Sequence, residues 1–169
     1  MKKVAKLLND MVSAGILSDY AVFGAVAQMR YTEAVSTLDA DVLVTLPPGE
    51  ALSPLGPIYR FCASQGYTAE GEAIRVGEWP VQFIPTFNRL TEAALRNAEE
   101  GEIEGLPLRV VRADYLAAIA LSVGRAKDFA RMVALLESGA TRAEEIENLA
   151  AAHGLKKTWD LFKQRFLNA

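Results

Sequence analysis

A chain of 169 residues, 51% hydrophobic and 23% charged, has the profile of one globular domain, or of a core domain with a small appendage, rather than of a disordered chain. A net charge of −3 excludes a global basic field for nucleic acid and leaves only a local basic patch open. A single cysteine excludes an internal disulfide, and with a single histidine it makes a poor zinc set.

The basic start Met1 to Lys6 is soon broken by Asn9-Asp10, so it does not read as a signal peptide. No apolar run approaches the ~20 residues of a membrane span, and the expected location is cytoplasmic. Val4, Leu7, Leu8, Met11 and Val12 recur at helical spacing, which predicts a helix over Lys2 to Ala14 stopped by Gly15. Tyr20 to Gly24 reads as a short strand and Ala25 to about Glu33 as a short helix. A second strand is predicted from Leu38 to Leu46, ended by Pro47-Pro48-Gly49. Ser53 or Pro54 begins a helix to about Gln65, with Gly66 as its cap and Cys62 as a small buried residue on it.

Tyr67 to Pro85 reads as a hairpin in which Ala73–Val76 and Val81–Ile84 flank a turn at Gly77-Glu78-Trp79-Pro80. Leu90 to Ala98 is helical, and Gly101 to Val111 holds one further strand. Asp114 to Val123 and Arg125 to Glu137 are two helices meeting near Gly124. Thr141-Arg142-Ala143-Glu144 has a capping-box pattern for the next helix, and Leu155 to Leu167 is the last. Strands mix with helices through two thirds of the chain and only helices follow. The expected class is α+β: a small mixed sheet with packed helices over residues 1–112, and a C-terminal helical cluster, 113–169, on that core.

Asp39 and Asp41 stand two positions apart inside an apolar run, so in a strand they project from one face. Two like charges that close are unfavourable until something neutralises them, and Mg²⁺ bridging carboxylate and phosphate oxygens is the usual remedy. The competing reading is a solvated edge strand. Phe23-Gly24-Ala25 stands upstream with thirteen residues between, where an apolar run turns at a glycine.

This combination resembles the signature of the polymerase-β-type nucleotidyltransferase superfamily: apolar-Gly-small, a spacer, then Asp-apolar-Asp-apolar, here Asp39-Ala40-Asp41-Val42. Ser36-Thr37-Leu38-Asp39 is similar to the Thr-x-Asp-x-Asp form of small bacterial members, among them toxin and abortive-infection nucleotidyltransferases. Gly124-Arg125-Ala126-Lys127-Asp128 resembles their Arg-x-Lys-Asp helix motif.

The resemblance implies Mg²⁺-dependent transfer of a nucleoside monophosphate from an NTP to an acceptor hydroxyl on a small molecule, RNA or protein. Gly24, Ala25 and Thr37 would sit at the triphosphate turn, Asp39 and Asp41 would hold the metal, and Lys127 or Arg125 would meet phosphate. A cognate protein partner is compatible with it. Two positions depart from the pattern. Ala25 stands where a glycine or serine is usual. Gln82, in Val81-Gln82-Phe83, stands where a third carboxylate is expected. Glu72, Glu78 and Asp128 are the acids available to substitute, Asp128 being the catalytic candidate. The alternative is a nucleotidyltransferase-like fold that binds a nucleotide or partner without catalysis.

Elsewhere the plain readings suffice. His153 sits near a helix end, and Trp79 and Trp159 are packing residues. For Arg125 and Arg131, about two turns apart, a solvated helix face is as good a reading as a site role. Lys156, Lys157, Lys163 and Arg165 suit the dipole of the last helix.

Overall fold

The computed structural model describes residues 1–33, 35–48 and 54–167. The strands are β1 (Asp19–Phe23), β2 (Ala40–Thr45), β3 (Thr68–Glu70), β4 (Ala73–Val76), β5 (Trp79–Pro85), β6 (Glu99–Ile103) and β7 (Leu106–Val110). The helices are α1 (Lys2–Ser13), α2 (Gly24–Gln28), α3 (Gly56–Ser64), α4 (Arg89–Arg96), α5 (Ala113–Val123), α6 (Ala126–Glu137), α7 (Ala143–Ala152) and α8 (Lys156–Phe166). All the strands join one mixed sheet in the order β3-β4-β5-β2-β1-β7-β6. β2 pairs with β5 and β1 with β7 in parallel, and the other pairs are antiparallel. This is an α+β fold.

β2 lies at the centre of the sheet because Ala40, Val42, Leu43 and Val44 are all fully buried. α1 buries Val4, Leu7, Leu8 and Met11 of the stripe its spacing predicts, with Ala5 beside them, whereas Val12 is exposed; each large buried side chain contributes about 1.5–3 kcal/mol. α5 is apolar almost all round, with eight of its eleven residues buried, and it packs against α2, α4, α6, α7 and α8. Gly124 ends it at φ 72°, a left-handed cap that a β-carbon would disfavour. Arg125 then caps α6, so only Gly124 and Arg125 separate the two helices and make a sharp corner. No helix among the described residues is long and apolar enough to cross a membrane.

Several boundaries differ from the sequence reading. β2 begins at Ala40, not Leu38, because the Thr37 hydroxyl lies 3.1 Å from the Asp39 carbonyl and 3.2 Å from its carboxylate. Such a side-chain turn competes with the strand ladder. α2 ends at Gln28 rather than near Glu33. α3 begins at Gly56, two residues after the expected start at Pro54; the alternative start at Ser53 and the strand stop at Gly49 lie outside the described residues. The hairpin turn is only Gly77-Glu78, with Trp79-Pro80 already in β5, and β3 adds a third strand at the edge.

The single strand expected over Gly101 to Val111 is a hairpin, β6 with β7, turning at Glu104-Gly105. The acidic run Glu99-Glu100-Gly101-Glu102 has no apolar alternation to announce β6, because it is an outer strand whose charges face water. The last capping box is shifted by one. The Arg142 backbone N–H, not that of Thr141, donates to Glu145 at 2.9 Å, and the Thr141 hydroxyl donates to the same carboxylate. Lys156 and Lys163 of α8 pair with Glu147 and Asp160, so those two cations are neutralised within the helical cluster.

Candidate functional site

Strand register builds the centre of the site. Phe23 of β1 pairs with Asp41 of β2, and Asp41 pairs with Gln82 of β5. Residues paired across a ladder share a face, so Phe23, Asp41 and Gln82 form one row across the sheet. Asp39 precedes the strand and closes on the same row: the Gln82 Nε2 donates to Asp39 Oδ2 at 3.2 Å. Thr37 holds the other oxygen of that carboxylate.

Directly above Asp41 the chain turns from β1 into α2. Gly24 stands there at φ 67°, and a β-carbon on it would collide with Asp41 Oδ2. The turn and the carboxylate therefore fit only with glycine at 24.

The opposite bank is the α5–α6 corner. Asp128 is 1% exposed and accepts from Arg125 Nε at 2.7 Å, from Arg125 Nη2 at 3.2 Å and from the Arg125 backbone N–H at 3.2 Å. Arg131 lies one turn on, 3.6 Å from Asp128, and its Nε donates to Gln28 Oε1 of α2 at 3.0 Å. Lys127 is exposed on the same corner. Between the banks lies a cleft of about 810 Å³ whose lining includes Gly24, Ala25, Thr37, Asp39, Asp41, Gln82, Arg125, Lys127, Asp128 and Arg131. Of the residues singled out from the sequence, Gly24, Ala25, Thr37, Asp39, Asp41, Gln82, Arg125, Lys127 and Asp128 all line this one cleft.

The charges interact. Burial, and then the like charge of Asp39, push the Asp41 carboxyl above the usual aspartate range, while Arg131, Lys127 and Arg125 pull the other way. Burial also pushes Asp128 up, but the hydrogen bonds from Arg125 and the charges of Arg125 and Arg131 outweigh it and hold the carboxyl below its usual range.

Of the acids proposed to replace a third carboxylate, Glu72 and Glu78 lie in the β3–β4 and β4–β5 turns, and neither lines the cleft. Asp128 lines it but is engaged by two guanidiniums. Among the described residues no group of three or more His, Cys, Asp or Glu side chains gathers at one point, so the protein's carboxylate donors at the sheet face are Asp39 and Asp41.

The sequence reading left Arg131 between a solvated helix face and a site role. Its side chain is only 16% exposed and spans from α6 to α2. The available signal was its spacing, three residues after Asp128 and four after Lys127, which makes Arg131 a helical neighbour of each. Gln28 and Phe87, also in the cleft wall, carried no signal of their own.

The architecture matches solved nucleotidyltransferase structures. The solution structure of the antibiotic-resistance factor ANT(2'')-Ia is similar over 99% of this chain and 97% of its own, with TM-score 0.57 and 14% identity. The crystal structure of ANT(2'')-Ia in complex with adenylyl-2''-tobramycin is similar over 96% and 97%, with TM-score 0.54 and 15% identity. An antigenic nucleotidyltransferase-like protein from Paracoccidioides brasiliensis is similar over 93% and 90%, with TM-score 0.53 and 11% identity. No protein-family model matches the chain, and no curated protein matches it in sequence. The fold is that of the polymerase-β-type nucleotidyltransferases.

Proposed function

We propose that this protein transfers a nucleoside monophosphate from an NTP to an acceptor hydroxyl. The observation that carries the reading is the row Asp41–Gln82 with Asp39 beside it, set under the Gly24 turn and facing Arg125, Lys127 and Arg131 across one cleft. Backbone N–H groups at Gly24 and Ala25 are the triphosphate contacts in this reading. Lys127 and Arg131 supply positive charge for phosphate oxygens. Asp128 is a positioning residue that fixes the Arg125 and Arg131 guanidiniums. Thr37 orients Asp39, and Gln82 orients the incoming hydroxyl.

The donor set fits Mg²⁺. Two hard carboxylates lie close together, and the raised Asp41 carboxyl marks a place where a cation relieves repulsion. Mg²⁺ typically takes one or two carboxylates and completes its shell with substrate phosphates and water. Asp39 and Asp41 would hold it, and its contribution when bound is neutralisation of charge on the phosphate oxygens.

Calorimetric titration with each NTP, with and without Mg²⁺, tests the reading. Binding that needs Mg²⁺ and vanishes in Asp39→Asn/Asp41→Asn supports it; no binding under any condition overturns it. Binding with no turnover over a broad acceptor screen would favour the non-catalytic alternative that Gln82 motivates. Tobramycin belongs in that screen because a structural neighbour carries its adenylyl derivative.

A further inference from the structure

Resting on the nucleotidyl-transfer reading, the question is which hydroxyl the cleft accepts. An aliphatic alcohol needs a base to take its proton. Gln82 occupies the position beside Asp41, and an amide is no base. Its amide is oriented by a contact: the Nε2 donates to Asp39 Oδ2 at 3.2 Å, which leaves the Oε1 for another donor. The other cleft carboxylates among the described residues are taken. Asp39 and Asp41 are the metal pair of the proposed site, and Asp128 is held by Arg125 and Arg131. The one histidine, His153, lies at the end of α7 and does not line the cleft. An acceptor used here must shed its own proton to water. A phenol does so with a pKa of about 10, against about 15.7 for water itself.

The wall beyond Gln82 points the same way. Ile84 stands two residues along β5, on the same face. Phe87 follows at 63% exposure and Val123, at the end of α5, at 46%, and both line the cleft. Phe87 precedes the Asn88 cap of α4, where an apolar residue often packs against the fourth helical position. That position is Glu92, so the helix gives Phe87 no such partner. Ile84, Phe87, Ile119 and Val123 offer no charge to a polycation. A cleft of about 810 Å³ shared with a nucleotide leaves room for a small ring.

We infer that the acceptor is a small phenol, its ring against Phe87 and Val123 and its oxygen at Gln82. The phenol proton passes to bulk water. The phenolate oxygen bonds to the α-phosphorus, and the bond from that phosphorus to the bridging oxygen breaks. Pyrophosphate leaves with the electron pair, and an aryl nucleoside monophosphate remains.

The test uses the full chain with Mg²⁺ and each NTP. It is offered 4-nitrophenol, phenol, N-acetyltyrosinamide, 2-phenylethanol and tobramycin, with products read by mass spectrometry. Phenols should be modified at least about 100-fold faster than 2-phenylethanol, the scale of a missing base. Their rate should rise about tenfold per pH unit until the phenol is ionised. Gln82→Glu should raise the rate on 2-phenylethanol by a similar factor. Phe87→Ala, at an exposed position, should raise KM for phenol about tenfold while leaving NTP affinity unchanged.

Equal use of 2-phenylethanol, or preference for tobramycin, overturns the inference. So does an unchanged KM in Phe87→Ala. Mg²⁺-dependent NTP binding with silent phenols overturns only the acceptor class, whereas no NTP binding removes the transfer reading and this one with it.

Discussion

Residue 24 and Asp41 share one space: a β-carbon on the first would sit where Oδ2 of the second is. The contact ties the turn after β1 to the carboxylate on β2. Gly24→Ala should therefore destabilise the fold by about 1–2 kcal/mol from the left-handed backbone alone, and more from the collision. Adding Asp41→Ala should recover the collision part and leave the backbone part. Denaturant melts of both singles and the double measure that coupling, and strict additivity would show that the two residues do not meet.

Asp41→Asn should stabilise the protein at neutral pH by a few tenths to about 1 kcal/mol, the scale of a like-charge pair on a strand. The sign follows from the raised carboxyl. Below the unfolded value both states hold the proton and the charge is no burden. As pH rises through the unfolded and then the folded value, the native state loses stability relative to the variant. Thermal melts from acid to neutral pH should show the variant's advantage growing with pH, and Mg²⁺ should raise the Tm of the wild type only.

Asp128 behaves in the opposite sense. It is buried and joined to two guanidiniums, one of them 16% exposed, so Asp128→Asn leaves Arg131 poorly compensated. A loss of about 2–4 kcal/mol is expected, below the full range for a buried pair because Arg125 is largely in solvent. Its depressed carboxyl stabilises the fold above the unfolded value, and that support is lost as pH falls through the folded one. Urea midpoints at neutral and acid pH should converge between wild type and variant as the acid limit is approached.

Gln82→Glu would place a third carboxylate against Asp39, where an amide hydrogen bond now lies. The metal-free variant should be less stable by about 1 kcal/mol. Mg²⁺ should then raise its Tm more than that of the wild type, since binding to the native state alone adds stability by mass action. Equal Mg²⁺ shifts would place the cation elsewhere.

The β6–β7 turn carries Glu104 at φ 50°, followed by Gly105 at φ 81°. Two positive φ angles in a two-residue turn suit Asn-Gly far better than Glu-Gly. Glu104→Asn should stabilise by about 0.5–1 kcal/mol without touching the cleft, read as a shift of the denaturant midpoint at constant slope.

The site was legible where its chemistry is local. Gly24, Asp39 and Asp41 advertise themselves because a glycine turn and a two-residue carboxylate spacing are both short-range signals. Lys127-Asp128 was legible as a motif but not as a function, because its meaning depends on Arg131, which looks like any solvated arginine until α6 is packed on α2. The Gln82 position came from the resemblance, as the place where a third carboxylate is expected, yet its bond to Asp39 spans 43 positions and no sequence window contains both. The two strands not foreseen, β3 and β6, are the outer strands of the sheet, β6 written in glutamates, and alternation marks only strands with one dry face.

The hydrogen bond from Arg131 to Gln28 crosses 103 positions of the chain. Loops that long close late, since their entropy must be met before the contact returns anything. On the ribosome, α2 and the paired aspartates emerge long before α6 is made. The nascent chain thus carries two repelling carboxylates without their guanidinium counterparts, and the cleft takes its charge balance only when the last third of the protein docks.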